Sequence, residues 1–531
     1  MSTQTPAAPA APTPIFHLPA DNDLQTDANA LPEKQPEQSI SGSGKEPTIW
    51  SHRFRYFILF LGCFCLTSIC SNMIALNFTF ICMDNPSADR SFTPRPEHEN
   101  LTSKELQHVK DSYEHRTIPY NPHEKAILMW AVAFGSIAAT FPFNLLYAKY
   151  GARRVFLAAG ILSATATVLI PPFAHIGFWW FVGARVIQGV AYAADFAAIG
   201  VLCSRWASLK QNGIFISILT CFSPISSAIT NPVSGALCNS SWGWPSVYYF
   251  HGAACILLFV AWFAFYTDRP ECHRNVSSIE LEKIHRDKSE AHKSMDSFIP
   301  YLAIIRNPVI LTVWLNALAD IGCGIFLLTY TPTYMNNVLN YSVGHTGWLG
   351  ALPALSHIPF KLATGYFSDK NKTFDERKKM IFFNTLALFV PGLMYAGLGY
   401  VPDDSPMIAV ALFTLIHAFL GANCGGFYKC GTLVSRQYSA FVISNIQFIK
   451  CLTLFLAPAL VAIFVTDDHS KEQWRTIFMI LAATLIISNF VFCFMATDQP
   501  AEFTNITRES AKLQKNQKTN GVSDATACTY P

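Results

Sequence analysis

Two charged side chains interrupt an otherwise apolar stretch, "FVGARVIQGVAYAADFAAIG", which runs from residue 181 to 200. Arg185 lies near its start and Asp195 near its end. A charge at the centre of a bilayer costs about 2.5–3.5 kcal/mol even on the lenient insertion scale, so ionisable residues inside spans usually serve binding or ion movement. The pattern therefore indicates two chemistries, namely recognition of an anion by the guanidinium and proton exchange by the carboxyl group.

Helical geometry places both charges on one polar stripe. At about 100° per residue, four side chains fall within about 80° of the circumference: Arg185, Gln188, Tyr192 and Asp195. Arg185 and Asp195 are about 15 Å apart along the axis, at about 1.5 Å per residue, so they cannot pair directly. Each then needs a partner on another helix or a water-filled cavity. Structural ion pairs with other helices are the alternative interpretation for the charges, and ordinary packing for Gln188 and Tyr192.

Asp195 is a candidate for ion coupling. Burial penalises the charged form of a carboxylate, so a buried carboxyl group can exchange a proton near neutral pH. We therefore hypothesise that Asp195 couples proton movement to transport, while Arg185 engages an anionic substrate group or balances local charge.

Two further polar residues lie inside apolar runs. Asp320, in "NALADIGCGIF", either serves transport or pairs with Arg185 or Lys450. Asn445, in "VISNIQ", either contacts a substrate or forms a hydrogen bond between helices.

The composition is that of an integral membrane protein. Of 531 residues, 51% are hydrophobic and 14% charged, and the mean hydropathy is +0.27; a soluble chain would carry roughly a quarter charged residues. The net charge of +3 is too small to indicate a nucleic-acid partner.

The 15 cysteines show no regular spacing, so neither a zinc site nor a disulfide framework is expected. No metal or cofactor is expected, although Cys82 and Cys238 are placed so that they could pair.

A membrane-spanning helix needs about 20 predominantly apolar residues. Twelve such windows occur, at 54–82, 123–148, 155–175, 178–204, 212–236, 247–267, 307–333, 344–366, 380–400, 406–430, 437–465 and 474–497. The sequence therefore predicts an all-α membrane protein with twelve transmembrane helices in two six-helix, pseudo-symmetric halves. Two such halves around a site at mid-depth are typical of transporters.

The predicted domains follow from these windows. They are a disordered cytoplasmic tail (1–49), an N-terminal six-helix half (50–267) with a long outer loop (83–122), a cytoplasmic loop between the halves (268–306), a C-terminal half (307–497) and a cytoplasmic tail (498–531).

Loop charges predict the orientation. Alternate connections are rich in Lys and Arg, whereas those between them are short or acidic, apart from the mixed 83–122 loop. Both termini are therefore predicted to face the cytoplasm, in the plasma membrane or a vesicle or lysosome membrane. The glycosylation sequons at Asn100 and Asn239 then lie on the outer side, and those at Asn275 and Asn371 on the cytoplasmic side.

Three blocks of sequence resemble a known family. They are "RVIQGV" (185–190) followed by "SRWAS" (204–208), "GWPSVYYFHG" (243–252) running on to "TDRPECH" (267–273), and "YTPTYMNNVLNYSVGHTGWLGALPALSHIPFKLATGYFSD" (330–369). The chain resembles the major facilitator superfamily over about residues 50–500. Within it, the chain is similar to the solute carriers that include sialin, the vesicular glutamate transporters and the sodium–phosphate co-transporters.

The resemblance implies a secondary active transporter that moves a small solute, an organic anion or phosphate, by proton- or sodium-coupled alternating access. It implies no enzyme activity, and we expect a monomer in the lipid bilayer. Arg185 and Gln188 match the family pattern in the fourth span, and Asn72 and Asn445 match family asparagines. The gating loops of the family correspond to Gly151 and Arg153 in the first half and to Gly365 and Asp369 in the second.

Several positions depart from the family pattern. Ala148 replaces a loop Asp, Cys70 replaces an Arg of anion-transporting members, Met129 replaces a His of vesicular members, Asp320 replaces an Arg of the glutamate carriers, and Tyr192 replaces a Glu. Asp195, about one turn beyond Tyr192 on the same stripe, is a candidate for the missing carboxylate. The departures leave two alternatives open: a carrier for a zwitterionic or cationic solute, and a carrier-like membrane sensor that does not transport.

Overall fold

A computed structural model describes residues 52–83, 118, 120–208, 212–285, 299–370 and 374–506. The tail predicted over 1–49, most of the tail predicted over 498–531, and Asn100 lie outside the described residues.

A long helix, continuous or segmented, occupies each of the twelve predicted windows. We number them in chain order: α1 (Phe54–Met83), α2 (Pro122–Tyr150), α3 (Ala152–Ile176), α4 (Phe178–Trp206), α5 (Asn212–Thr220 and Phe222–Cys238), α6 (Pro245–Phe265), α7 (Pro308–Asn337), α8 (Val343–Lys370), α9 (Glu376–Asn384, Thr385–Phe389 and Val390–Leu398), α10 (Pro406–Leu420, Gly421–Gly425 and Phe427–Ser435), α11 (Ser439–Phe464) and α12 (Lys471–Met495). Within the described ranges, 11 of them are long and apolar enough to cross a membrane. The remaining helix, α8, has 28 residues but carries more polar side chains. The predicted fold class is confirmed, and the chain is a multi-pass integral membrane protein.

Local sequence explains where several helices begin. Asn307 precedes α7, and its side-chain oxygen accepts hydrogen bonds from Val309 N at 3.0 Å and Ile310 N at 3.1 Å. Before α2, the backbone N–H of Asn121 donates to the Glu124 carboxylate at 2.9 Å. Both arrangements satisfy backbone groups that a helix end leaves without partners.

Two helices of the C-terminal half change their winding. In α9, the segment Thr385–Phe389 is a π-helix, and in α10, the segment Gly421–Gly425 is a 3₁₀-helix. Such local changes of helix type often mark functional sites or hinges. The break in α10 brings Asn423 against α7, as described below.

The crossing of α2 and α4 depends on two glycines. A Cβ atom added at Gly189 would lie 2.1 Å from the carbonyl oxygen of Val132, and one added at Gly135 would lie 2.2 Å from that of Val186. Small residues allow helix backbones to approach this closely in membrane proteins. As a result, the backbones of α4 and α2 lie close together beside the polar stripe of α4.

The end of the bundle where α1 begins and α12 ends is called the terminal end here. At this end, the loop after α6 contacts the first residues of α1 and α3 through two acidic side chains, Asp268 and Glu280. The Asp268 carboxylate accepts from the N–H groups of Ala152 (2.6 Å) and Arg153 (3.2 Å), at the start of α3. The fully buried Glu280 accepts from Arg55 N at 2.8 Å, at the start of α1. Carboxylates at helix N-termini satisfy orphan N–H groups and complement the helix dipole.

At the opposite end, called the distal end, three contacts tie the bundle together. A disulfide joins Cys82 of α1 to Cys238 of α5, with Cα atoms 6.2 Å apart. Where α5 crosses α8, a Cβ atom added at Gly347 would lie 2.7 Å from the Asn231 carbonyl oxygen. The Lys125 ammonium of α2 forms an ion pair with Asp468, in the loop after α11, at 3.2 Å.

Candidate functional site

Arg185 is held by uncharged groups inside the N-terminal half. Its side chain is 1% exposed. The guanidinium donates to the carbonyl oxygen of Met73 at 2.9 Å, to that of Leu128 at 3.2 Å and to Gln188 Oε1 at 2.6 Å. These acceptors come from α1, α2 and α4, so three helices fix the position of the guanidinium. None of the three carries a negative charge that would balance that of Arg185.

Gln188 continues this network toward α3. Its amide nitrogen donates to the carbonyl oxygen of Asn72 at 3.0 Å and to Thr167 Oγ1 at 2.8 Å. The Asn72 amide in turn donates to Ser163 Oγ at 2.9 Å. Arg185, Gln188 and Asn72, all named from the sequence, therefore belong to one hydrogen-bonded network. In this network the side-chain amide of Asn72 bonds to Ser163 and its backbone carbonyl oxygen bonds to Gln188.

A cavity opens beside Arg185. Its lining comes from both halves of the chain, from α1, α2, α4 and α5 and from α7 and α11. Arg185, Tyr192 and Lys450 are among the lining residues, together with polar side chains at Asn77, Ser223 and Thr329. The position between two six-helix halves is where transporters of this architecture bind their solutes.

A second cavity lies next to the first, toward the distal end. The two share the lining residues Asn77, Met129, Thr329 and Pro458. The ion pair between Lys125 and Asp468 lies at the distal side of the second cavity. The two cavities therefore adjoin each other, the first beside Arg185 and the second nearer the distal end.

Asp195 lies on the same face of α4 as Arg185, nearer the terminal end. It is fully buried, and within the described part of the chain neither carboxylate oxygen has a hydrogen-bond partner. The charged residue that interacts with it is Lys450 of α11. Other titratable side chains around it are Cys65 and Cys70 of α1, Tyr147 of α2, Cys255 of α6 and Tyr192 of α4.

Lys450 lies across from the polar stripe of α4. Its ammonium lies 4.9 Å from the ring centre of Phe222 and 5.9 Å from that of Tyr192. Cation–π contacts of this kind contribute about 0.5–2 kcal/mol. Tyr192 therefore contacts Lys450 and lines the same cavity as Arg185.

Asp320 and Asn445 are not brought to this network. The Asp320 carboxylate accepts from Asn423 Nδ2 at 2.8 Å and interacts electrostatically with Lys361 of α8, rather than pairing with Arg185 or Lys450. The Asn445 amide donates to Phe441 O at 2.9 Å, one turn back on its own helix. Sequence reasoning missed Lys361 and Asn423. A search for every charge inside a predicted span would have found Lys361, whereas Asn423 depends on the break in α10.

At the first gating loop, a carboxylate comes from Asp268, which lies after α6. Gly151 has φ of 76°, and a Cβ atom there would lie 2.5 Å from an Asp268 carboxylate oxygen. The Arg153 guanidinium donates to the Phe263 carbonyl oxygen at 2.9 Å. Asp268 thus places a carboxylate beside the loop in which Ala148 replaces the usual acid.

The second gating loop and the outer sequon are described in part. Gly365 has open space beside its Cα, and the side chain of Asp369 lies outside the described residues. Asn239 is exposed at the distal end, directly after α5.

Comparisons with known proteins agree with this architecture. The family model of the Major Facilitator Superfamily matches residues 54–458. Sodium-dependent phosphate transport protein 1 of Mus musculus is 25% identical over 450 residues, which are 83% of this chain and 93% of that protein. Sialin of Homo sapiens is 24% identical over 407 residues, 75% and 78% of the two chains. The inward-facing, occupied crystal structure of a bacterial homolog of the human lysosomal transporter Spinster superimposes with a TM-score of 0.59 at 14% identity, and covers 85% of this chain and 99% of that one.

Proposed function

Because the chain belongs to the Major Facilitator Superfamily, we propose that it is a secondary active transporter that moves a small organic anion or phosphate by alternating access. One observation carries this proposal: Arg185, buried among uncharged acceptors, lines a cavity between the two halves. Alternating access then consists of rocking the halves about that cavity, which opens it to one side at a time. The cavity lies within one chain, so a monomer suffices.

The charge of the cavity favours an anion as the solute. A buried charge is costly unless an opposite charge and hydrogen bonds compensate it. The hydrogen bonds of Arg185 are made by neutral groups, so a bound anion supplies the missing opposite charge. Neither Asp320 nor another acid lines this cavity within the described part of the chain. A cationic solute would therefore meet two cations and, among the described lining residues, no acid.

Asp195 is the proposed coupling residue, with a proton as the coupling ion. Its oxygens have no hydrogen-bond partner among the described residues, and Lys450 is the charge beside it. Protonation of Asp195 removes a negative charge beside Lys450, and loss of that proton restores it. Sodium is the alternative ion, and the sodium dependence in the name of the mouse relative supports it.

Uptake into proteoliposomes tests the proposed function. The purified chain is given phosphate, organic anions, zwitterionic amino acids and organic cations under imposed proton or sodium gradients. We expect uptake of an anion above that of protein-free liposomes under one of the two gradients. Uptake confined to cations would contradict the proposal.

The orientation is also proposed, with the terminal end in the cytoplasm. The disulfide between Cys82 and Cys238 supports this, because disulfides persist on the oxidising side of membranes. Basic connections at the terminal end support it independently. The outer side is then that of the 83–122 loop and Asn239.

Glycosylation provides a test of the orientation. We expect a glycosidase to increase the gel mobility of the chain expressed in a eukaryotic cell. The combined substitutions Asn100→Gln, Asn239→Gln and Asn340→Gln should remove that effect, because these three sequons then face the lumen during synthesis. Asn275→Gln and Asn371→Gln are the matched controls, because their sequons belong to connections at the terminal end. Loss of the glycan in either control variant would invert the proposed orientation.

The ion pair between Lys125 and Asp468 is proposed to hold the distal route closed. Its members belong to the two different halves, and each side chain is 19% exposed. We expect Lys125→Gln or Asp468→Asn to increase the alkylation rate of Thr329→Cys, a probe that lines both cavities. The expected gain is roughly two- to fivefold, because partly exposed pairs contribute about 0.2–1 kcal/mol. The measurement uses a membrane-impermeant maleimide at the distal face of sealed vesicles.

The charge swap is the control for this closure. Lys125→Asp combined with Asp468→Lys should restore the slow alkylation of the parent Thr329→Cys protein. Equal alkylation rates in the parent and in both single variants would show that the pair does not close the route.

A further inference from the structure

We propose that the C-terminal half contains a binding site for a monovalent cation, with sodium as the ion, where α7, α9 and α10 meet. Its side chains are Asp320 of α7, Asn384 of α9 and Asn423 of α10. These three residues are not among those that line the cavity beside Arg185. The proposal goes beyond the proposed function, in which a proton on Asp195 of the N-terminal half couples transport, because it assigns an ion site to the other half.

Two side chains on one face of α7 bring the site together. Asn316 and Asp320 are four residues apart, so their Cβ atoms lie about 5–6 Å from each other on the helix surface. Asn316 Oδ1 accepts a hydrogen bond from Asn384 Nδ2 at 3.1 Å, and the Asp320 carboxylate accepts one from Asn423 Nδ2 at 2.8 Å. The face of α7 therefore holds a side chain of α9 beside a side chain of α10.

Two buried oxygen atoms of this cluster accept no hydrogen bond from the residues that the structure describes. They are Asp320 Oδ1 and Asn384 Oδ1, in side chains that are 4% and 0% exposed. The orientation of the Asn384 amide is fixed, because its nitrogen donates both to Asn316 Oδ1 and, at 2.9 Å, to Asn489 Oδ1. A buried acceptor without a donor costs about 1–3 kcal/mol, and a cation would satisfy both oxygen atoms at once.

The two irregular helix segments of the C-terminal half meet at this site. Asn384 directly precedes the π-helical segment of α9, and Asn423 belongs to the 3₁₀ segment of α10. A Cβ atom added at Gly426 would lie 2.9 Å from Asn384 Oδ1, so this oxygen faces the end of the 3₁₀ segment. Changes of winding alter the regular hydrogen bonds of backbone carbonyl groups, and carriers use unwound carbonyl oxygens as ligands for sodium.

The charge of the cluster favours a monovalent ion. Within the described residues, Asp320 is its one acid, and the amide oxygens are neutral hard ligands of the kind that alkali and alkaline-earth cations prefer. A divalent ion would keep a surplus buried charge beside a single carboxylate. The charged neighbour of Asp320 is the half-buried Lys361, whereas Cys323 and Tyr428 are its other titratable neighbours. Bound sodium would replace Lys361 as the charge that balances Asp320.

Cation binding to the purified full-length chain tests this proposal. The thermal unfolding midpoint is measured in detergent with the chlorides of sodium, potassium, choline and calcium, at equal ionic strength and fixed pH. Binding of radiolabelled sodium is measured by equilibrium dialysis. The variants are Asp320→Asn, which keeps an acceptor for Asn423, and Asn384→Ala, which removes the amide oxygen. The matched control is Asp404→Asn, because Asp404 is exposed in the distal loop between α9 and α10.

We expect sodium to raise the midpoint of the wild-type chain saturably, and more than potassium, choline or calcium. Asp320→Asn should weaken sodium binding at least about a hundredfold and Asn384→Ala about ten- to a hundredfold, because even groups that only orient a metal ligand contribute about ten- to a hundredfold in affinity. Asp404→Asn should stay within about threefold of the wild-type affinity. The ion preference of the wild-type chain serves as the test if neither site variant folds.

Different results would overturn different claims. A midpoint that depends on pH but not on sodium, tighter binding of calcium than of sodium, or sodium binding that is unchanged in Asp320→Asn would refute the sodium site. None of these results bears on anion transport. Sodium binding that is lost in Asp320→Asn, together with no anion uptake by the wild-type chain under either gradient, would support the site and contradict the proposed function.

Discussion

Replacement of Arg185 by glutamine is expected to reduce the initial rate of solute uptake by at least about a hundredfold. The substitution removes a charge-assisted contact to the anion, and it also removes hydrogen bonds that hold three helices in place. The guanidinium bonds to carbonyl oxygens on α1 and α2 and to Gln188 on its own helix. Glutamine cannot reach all of these acceptors, and each buried acceptor left without a partner costs about 1–3 kcal/mol.

A lysine at position 185 separates charge from geometry. Arg185→Lys keeps the positive charge and loses the planar fork, so we expect an intermediate rate, roughly tenfold below that of the wild-type chain. Arg475→Gln is the matched control, because Arg475 is 40% exposed and its nearest carboxylate oxygen, on Glu472, is 3.9 Å away. Rates are normalised to folded protein by size-exclusion chromatography. Uptake by Arg185→Gln above half the wild-type rate would remove Arg185 from the binding site.

Replacement of Asp195 by asparagine is expected to abolish accumulation driven by a proton gradient and to preserve exchange of labelled for unlabelled solute. Asparagine has nearly the shape of a protonated aspartic acid but cannot release a proton. The carboxylate has no hydrogen-bond partner within the described residues, so the substitution removes no such bond there. Accumulation should fall to the equilibrium level, while exchange should stay within about threefold of wild type, as for substitutions without a lost bond or cavity.

The pH dependence distinguishes coupling from a structural role of Asp195. In the wild-type chain, acidifying the side from which solute enters should increase uptake, because proton and solute enter together. In Asp195→Asn, uptake should not change with pH in that range. Asp404→Asn is the matched control, because Asp404 is exposed in the distal loop between α9 and α10. Proton-driven accumulation that persists in Asp195→Asn would exclude Asp195 as the coupling residue.

The helices were predictable because the thickness of a bilayer imposes apolar windows of about 20 residues. Each predicted window coincides with a helix of the structure, even for α8, whose polar residues lower its hydropathy. The winding changes at 385–389 and 421–425 were not predictable, because they depend on contacts between helices. The close approach of Gly425 to Phe383 is one such contact, where a Cβ atom would lie 2.7 Å from the ring.

The site was predictable in its residue types and only in part in its partners. A helical stripe identified Arg185 and Gln188, and the structure places both in one network. The acceptors at Met73 and Leu128 are backbone carbonyl oxygens, and because every residue has one, the sequence does not identify them. The carboxylate at the first gating loop comes from Asp268, far along the chain from Ala148, so sequence spacing could not reveal it.

The central claim is that the chain moves a solute against its concentration gradient. The most direct measurement is the steady-state level of a labelled anion inside proteoliposomes under an imposed proton or sodium gradient. We expect the internal concentration to exceed the external one, and an ionophore that collapses the imposed gradient to return it to equilibrium. Saturable binding of the anion to the reconstituted protein, with no internal accumulation under either gradient, would contradict transport and identify the chain as a carrier-like sensor.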